Sequence, residues 1–145
     1  MIFVGVLEKV TDEFGATTGR PRRCGWLDGV VLRYAVRVNG LGSLALTKMD
    51  VLSGIKSLQL CNAYELDGQR ITELPGDYED LERVKPIYET MPAWEEDITG
   101  CRIFDELPEK AKDYILRLEE LSGAQMSYIG VGPGREQTIE RFPIL

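Results

Sequence analysis

Ser43-Leu44-Ala45-Leu46-Thr47-Lys48-Met49-Asp50 is a mostly apolar run that stops on charged residues. It reads as a short buried strand over 43–47 that ends at Lys48-Met49-Asp50. Its neighbours set the fold class. Upstream, residues 25–38 are apolar nearly all round, with Val30, Val31, Leu32, Tyr34, Ala35 and Val36. That length and pattern predict a helix buried on most sides. Asn39-Gly40-Leu41-Gly42 stops it with residues that tolerate the left-handed conformation. Downstream, a helical turn is expected over 51–55, then a second strand, Ser57-Leu58-Gln59-Leu60-Cys61-Asn62-Ala63-Tyr64. Helix, strand, short helix, strand predicts an α/β layer arrangement, with strands carrying packed helices.

Further out, Asp67-Gly68 is a turn signal and predicts a hairpin. Residues 75–106 are proline-punctuated and acidic, so mostly loop is expected, with a helical turn over 78–83 and a short strand over 86–89. Pro92, Trp94 and Glu95-Glu96-Asp97 read as a surface excursion anchored by the tryptophan, with the charge run solvated. Residues 108–122 carry the clearest helix. Pro108 suits the first turn, Ala111, Tyr114, Ile115, Leu118 and Leu121 form one stripe, and Gly123 stops it. Lys112, Arg117, Glu119 and Glu120 are expected on the solvated side. A strand over 126–131 follows, then Gly132-Pro133-Gly134-Arg135. At the other end, Phe3, Val6, Leu7 and Val10 predict a helix over 2–12. No internal repeat or domain boundary is visible, so residues 1–145 are expected to form a single domain.

The chain has 145 residues and a net charge of −7. That balance argues against general nucleic-acid or anionic-membrane binding, which needs a basic face. The acidity is uneven: residues 1–50 hold seven Lys/Arg against five Asp/Glu, and the remainder ten against nineteen. An anionic ligand therefore belongs to the first third. With no histidine in the sequence, a histidine base or metal ligand is excluded within it. Cys24, Cys61 and Cys101 are too dispersed for a disulfide framework or a zinc signature. The apolar start is too short to span a membrane and lacks a secretory pattern, so a cytoplasmic place is expected.

Three stretches can carry chemistry. In Gly15-Ala16-Thr17-Thr18-Gly19-Arg20-Pro21-Arg22-Arg23, three arginines crowd into four positions behind two hydroxyls. Arginine forks and threonine hydroxyls suit a carboxylate or phosphate, and glycine permits close backbone approach. Arginine clusters also occur solvated or paired with acidic neighbours, so the loop alone leaves both readings open. Leu46-Thr47-Lys48-Met49-Asp50, at the end of the expected buried strand, contains the [N/T]-K-x-D form by which many GTP-binding proteins read guanine. A carboxylate there accepts from guanine N1–H and the exocyclic amine, a donor pair that adenine lacks. A lysine stem packs along the base plane. A strand end followed by a charged turn explains the same residues more simply. Ile129-Gly130-Val131-Gly132-Pro133-Gly134-Arg135 puts glycines where α/β folds bind nucleotides, although Gly-Pro-Gly is first of all a turn. No G-x-x-x-x-G-K-[S/T] phosphate loop is present.

Taken together, these stretches resemble the C-terminal part of adenylosuccinate synthetase, the purine-biosynthesis ligase that joins aspartate to IMP at the expense of GTP. The resemblance runs from about Glu13 to about Thr138. It rests on residues 14–28, on residues 41–52, on Pro86-Ile87-Tyr88-Glu89-Thr90-Met91-Pro92 and on Gly132-Pro133. It implies the C-terminal part of a P-loop-NTPase-like α/β fold. It implies that Ala16, Thr17, Thr18, Gly19 and Arg20 hold the aspartate substrate, with Arg20 also near the IMP ribose. Arg22 would reach the GTP γ-phosphate and the aspartate, as a stabiliser of transition-state charge. Lys48, Met49 and Asp50 would read guanine, and the backbone of Gly130, Val131, Gly132 and Pro133 would close over the base.

The family's glycine-rich phosphate loop, catalytic aspartate and histidine are not in this sequence, nor are its magnesium ligands. Gly130 and Gly134 stand where the family often has more polar residues. The chain is about a third of the family's usual length. The resemblance therefore implies GTP as co-substrate, Mg2+ in the parent enzyme, IMP and L-aspartate as partners, a homodimeric parent, and no activity for the chain alone. It also implies self-association through surface that the rest of the parent would cover. A reading of another class is a stand-alone module that keeps nucleotide or aspartate binding, or only an interaction surface.

Overall fold

The computed structural model describes residues 17–20 and 24–143; the helix expected over 2–12 lies outside them. Strand β1 (Leu27–Asp28) leads directly into helix α1 (Gly29–Asn39). Strand β2 (Ser43–Leu46), a 3₁₀ turn (Asp50–Leu52) and strand β3 (Ser57–Leu66) follow. Then come β4 (Gln69–Ile71), α2 (Tyr78–Arg83), β5 (Lys85–Pro92) and a 3₁₀ turn (Phe104–Glu106). Helix α3 (Glu109–Ser122) and strands β6 (Gln125–Gly130) and β7 (Thr138–Glu140) complete the described residues.

These strands form two sheets. In the first, β3 pairs antiparallel with β5 on one edge. Its other edge holds β1, parallel, and then β4 through the expected hairpin. Asp67 and Gly68 both take positive φ, 49° and 80°, as a two-residue hairpin turn matching the strand twist requires. In the second sheet β6 is central, parallel to β2 and antiparallel to β7. The α/β expectation thus holds, with antiparallel strands added to each parallel pair.

The first helix differs from its sequence reading. It begins at Gly29 because the Asp28 carboxylate accepts from the backbone N–H groups of Val30 (2.9 Å) and Val31 (3.1 Å), satisfying donors that the first turn leaves open. Only one face is buried, against β3 and α3. A Cβ on Gly29 would lie 2.8 Å from the Cys61 carbonyl oxygen, so glycine sets the closeness of this packing. The opposite face leaves Val31 44% and Val38 60% exposed, with Tyr34 beside them. An all-apolar helix is not one buried on most sides here.

The acidic middle segment is also more ordered than its composition suggests. β5 runs the length of β3, apart from an irregularity between Cys61 and Ala63. Trp94 is wholly buried and its Nε1–H donates to Ser53 Oγ at 2.9 Å. Ala93 and Ile98 are buried beside it, while Glu95, Glu96 and Asp97 face solvent as expected. The core is completed by α3, whose predicted stripe, Ala111, Tyr114, Ile115, Leu118 and Leu121, is buried throughout. Each such side chain contributes about 1.5–3 kcal/mol on leaving water.

Glu120 is exposed as expected, but Glu119 is not on a solvated face. Its Oε1 accepts from Met126 N–H (2.6 Å) and from Arg141 Nη1 (2.7 Å). The Arg141 guanidinium lies over the Phe104 ring at 4.0 Å and beside Phe142 at 4.9 Å. This clasp holds down β7, a strand the sequence reading did not place. Arg117 on the same helix donates to both oxygens of Glu89 on β5, at 2.6 and 2.8 Å, and Asn62 donates to Glu89 at 2.7 Å.

The Arg117 hydrogen bonds hold the Glu89 carboxyl below its ordinary value of 4.5, with the Asn62 amide assisting. A carboxyl whose folded pKa is depressed adds stability above its unfolded pKa and loses it as pH falls through the folded one. Glu89→Gln is therefore expected to cost about 1–2 kcal/mol at pH 7. That cost should shrink as pH drops from 4.5 toward 2, measured by urea unfolding across that range. A cost that does not change with pH would contradict the assignment.

Candidate functional site

Parallel pairing of β2 and β6 brings two of the three sequence stretches together. Thr47–Asp50 leaves the carboxyl end of β2, and Val131–Gly134 leaves the carboxyl end of β6. The backbone N–H of Met49 donates to the Gly130 carbonyl at 3.0 Å and ties the two loops. A Cβ on Gly130 would sit 3.4 Å from Thr47 Cα, so the two backbones are already in contact.

Burial divides the loop residues by role. Met49 and Val131 are fully buried, and their side chains pin the bases of the loops. Any contact they make with a ligand falls to their backbone. Thr47, Lys48 and Pro133 are exposed, and Gly130, Gly132 and Asp50 are half-buried. Lys48 takes φ 61°, a left-handed conformation uncommon in a side-chain-bearing residue. Such backbone costs of order 1–3 kcal/mol and is held only by its surroundings. Asp50 opens the 3₁₀ turn, where its backbone carbonyl accepts from Ser53 N–H at 3.2 Å. Among the described residues no donor reaches its carboxylate in a hydrogen bond or ion pair. The Asp50 carboxylate can thus offer a pair of acceptors, and the 130–134 loop a glycine-rich backbone.

Of the arginine loop, Thr17, Thr18, Gly19 and Arg20 are described and exposed, whereas Ala16 and Arg22 lie outside the described residues. Gly19 has φ 61°, and Arg20 N–H donates weakly to Thr18 Oγ1 at 3.4 Å. No hydrogen bond or ion pair joins Thr17–Arg20 to the other two loops among the described residues. The residues that follow do approach them. Cys24, Gly25, Trp26 and Leu27 line a cavity of about 370 Å³ together with Leu46, Thr47, Lys48, Met49, Val51, Leu52 and Tyr114; neither Asp50 nor residues 130–134 line it. Sequence alone assigns neither Trp26 nor Tyr114 to a site. Their signal was the apolar character of segments flanking the charged ones.

The fold and the loops define an α/β protein whose candidate site lies at the carboxyl ends of a parallel strand pair, the general position of ligand sites in such folds. Comparison with known proteins makes this particular. A profile of the adenylosuccinate synthetase family matches residues 4–139, and the chain belongs to that family. It is 68% identical over 133 residues to adenylosuccinate synthetase of Myxococcus xanthus, covering 92% of this chain and 30% of that protein. It is 60% identical over 139 residues to that of Corynebacterium ammoniagenes, covering 96% and 32%. The solved structure of fully ligated adenylosuccinate synthetase from Plasmodium falciparum superposes with a TM-score of 0.88 at 41% identity, over 94% of this chain and 33% of that one. The chain thus spans about a third of the length of the relatives it matches.

If Met49 pins the loop through its buried side chain, Met49→Ala should cost about 3 kcal/mol, whereas Thr47→Ala, exposed, should cost under about 0.5 kcal/mol. Equal unfolding midpoints for the two variants would show that the side chain does not anchor the turn.

Proposed function

We propose that this chain is the C-terminal, aspartate- and guanine-binding part of an adenylosuccinate synthetase, folded as one domain. The complete ligase joins IMP and L-aspartate, with GTP first phosphorylating the IMP 6-oxygen and the aspartate amine then displacing phosphate. The observation that carries the reading is the Met49–Gly130 hydrogen bond, which sets the Lys48-Met49-Asp50 turn against the glycine-proline loop. In this reading Asp50 accepts from guanine N1–H and the exocyclic amine, and the Lys48 stem lies along the base. The backbone of Gly130, Val131, Gly132 and Pro133 closes over it. Thr17, Thr18 and Arg20, with the backbone of Ala16 and Gly19, hold the aspartate carboxylates. Arg22 meets the phosphate charge that develops during transfer.

Magnesium does not fit the residues at hand. Among the described residues no group of three or more His, Cys, Asp or Glu side chains could hold a metal ion. The metal ligands, the phosphate loop and the acid–base groups belong in this reading to the remaining two-thirds of the ligase. In this reading the complete enzyme is a cytoplasmic homodimer. Among the described residues no helix is long and apolar enough to cross a membrane. The exposed Val31, Tyr34 and Val38 on α1 support surface that is covered in the complete protein, and hence self-association of this chain alone. The strength of the family match favours this reading over a stand-alone module.

GDP is expected to bind better than ADP, and Asp50→Asn is expected to erase that preference, read by titration calorimetry at millimolar nucleotide. Equal binding of GDP and ADP by the unmodified chain would sink the assignment of Asp50. Purified alone, the chain should release no phosphate from GTP in the presence of IMP and aspartate, and measurable turnover would contradict the division of the active site.

A further inference from the structure

We infer that Gln137 is a positioning residue that sets the shape of the 130–134 loop, and through it the preference of that loop for guanine over adenine. The inference rests on the reading that this loop closes over a guanine base. Gln137 stands just before β7, and the pairing of β7 with β6, Thr138 opposite Gly130, brings it back against the loop. Its backbone carbonyl accepts from Val131 N–H at 2.8 Å, and its own N–H donates to the Gly134 carbonyl at 3.0 Å. Its side chain adds two more bonds. Oε1 accepts from Gly134 N–H at 2.9 Å, and Nε2 donates to the Thr99 carbonyl at 3.3 Å. One residue thus holds both ends of the loop.

Gly132 makes this arrangement possible. A Cβ there would fall 2.5 Å from Gln137 Oε1 and 2.6 Å from Nε2. The amide therefore lies directly against the Gly132 backbone, in space that only glycine leaves open. The other end of the tether is fixed too. Thr99 O also accepts from Arg102 Nη1 at 2.8 Å, and Thr99 N–H donates to Asp97 Oδ1 at 2.9 Å. The 97–102 turn is in this way the fixed anchor for the Gln137 amide. A backbone that reads a base works only while its peptide groups keep their orientation to within about 0.5 Å. Releasing the amide removes the side-chain half of this hold and lets the Gly132 and Pro133 peptides reorient. Guanine contacts then loosen, while the weaker adenine contacts have little to lose.

The test measures GDP and ADP binding to the full chain and to Gln137→Ala, Gln137→Glu and Gly132→Ala, each confirmed folded by circular dichroism. Gln137→Ala should weaken GDP binding about tenfold, as expected if the loop holds its binding conformation only about a tenth of the time without the amide, with ADP binding unchanged. Gln137→Glu keeps the acceptor for Gly134 N–H but loses the donor to Thr99, and should fall between. Gly132→Ala should match Gln137→Ala, and the double variant should be no worse than either, because both break one lock. A merely structural residue would lower the melting temperature without moving the GDP-to-ADP ratio. The inference is overturned if the unmodified chain prefers GDP, Asp50→Asn abolishes the preference and Gln137→Ala retains it. If the unmodified chain shows no preference, the proposed function falls, and this inference falls with it.

Discussion

The hydrogen bond from Met49 N–H to the Gly130 carbonyl is the constraint on which the candidate site depends. It closes the end of the β2–β6 parallel pair and ties together two loops far apart in sequence. A parallel pair aligns the carboxyl ends of its strands by construction, so the loops meet without further device. Met49 and Val131 then sink their side chains into the core, while their backbone N–H groups are taken up by the Gly130 and Gln137 carbonyls. The left-handed Lys48 is held in place by that anchoring. Strain of this kind is expected where a fold fixes a functional loop.

The support for this pair is built from the far end of the chain. Helix α3 buries one stripe in the core and uses its polar side as a second fastening, with Glu119 gripping Arg141 and the Met126 backbone. Arg141, sandwiched between Phe104 and Phe142, holds the strand that returns Gln137 to the loop. Ion pairs with partners this well enclosed lose far more when one member is removed than exposed pairs do.

Much of this was legible in the sequence because the signals were local. The α3 stripe, the Asp67-Gly68 hairpin, the 3₁₀ turn after β2 and the glycine stops at Gly40 and Gly123 all follow from periodicity or from backbone chemistry at single residues. What escaped was set by tertiary partners. Asp28 caps α1, and a Tyr64 hydroxyl 2.5 Å from its other oxygen locks it; neither relation shows in the spacing. Val31, Tyr34 and Val38 looked like core because they are apolar, yet no described element covers them. Glu119 looked solvated because it neighbours Glu120, and β7 was too short to show alternation. At the site, the K-x-D turn and the glycine loop could be named from sequence, but their contact could not, since parallel register is a long-range property. Gln137 carried no motif at all; its role appears only when Gly132 is seen from the side its missing Cβ would occupy.

In the proposed function, the Thr47–Asp50 turn and the 130–134 loop form one pocket for a guanine base. Two-dimensional amide NMR of the ¹⁵N-labelled chain, titrated separately with GDP and with ADP, tests it most directly. The account predicts that GDP shifts the backbone resonances of Lys48, Asp50, Gly130 and Gly132 together, along one binding curve, while ADP leaves them in place. Shifts confined to one of the two loops, or the same shifts with ADP, would contradict it.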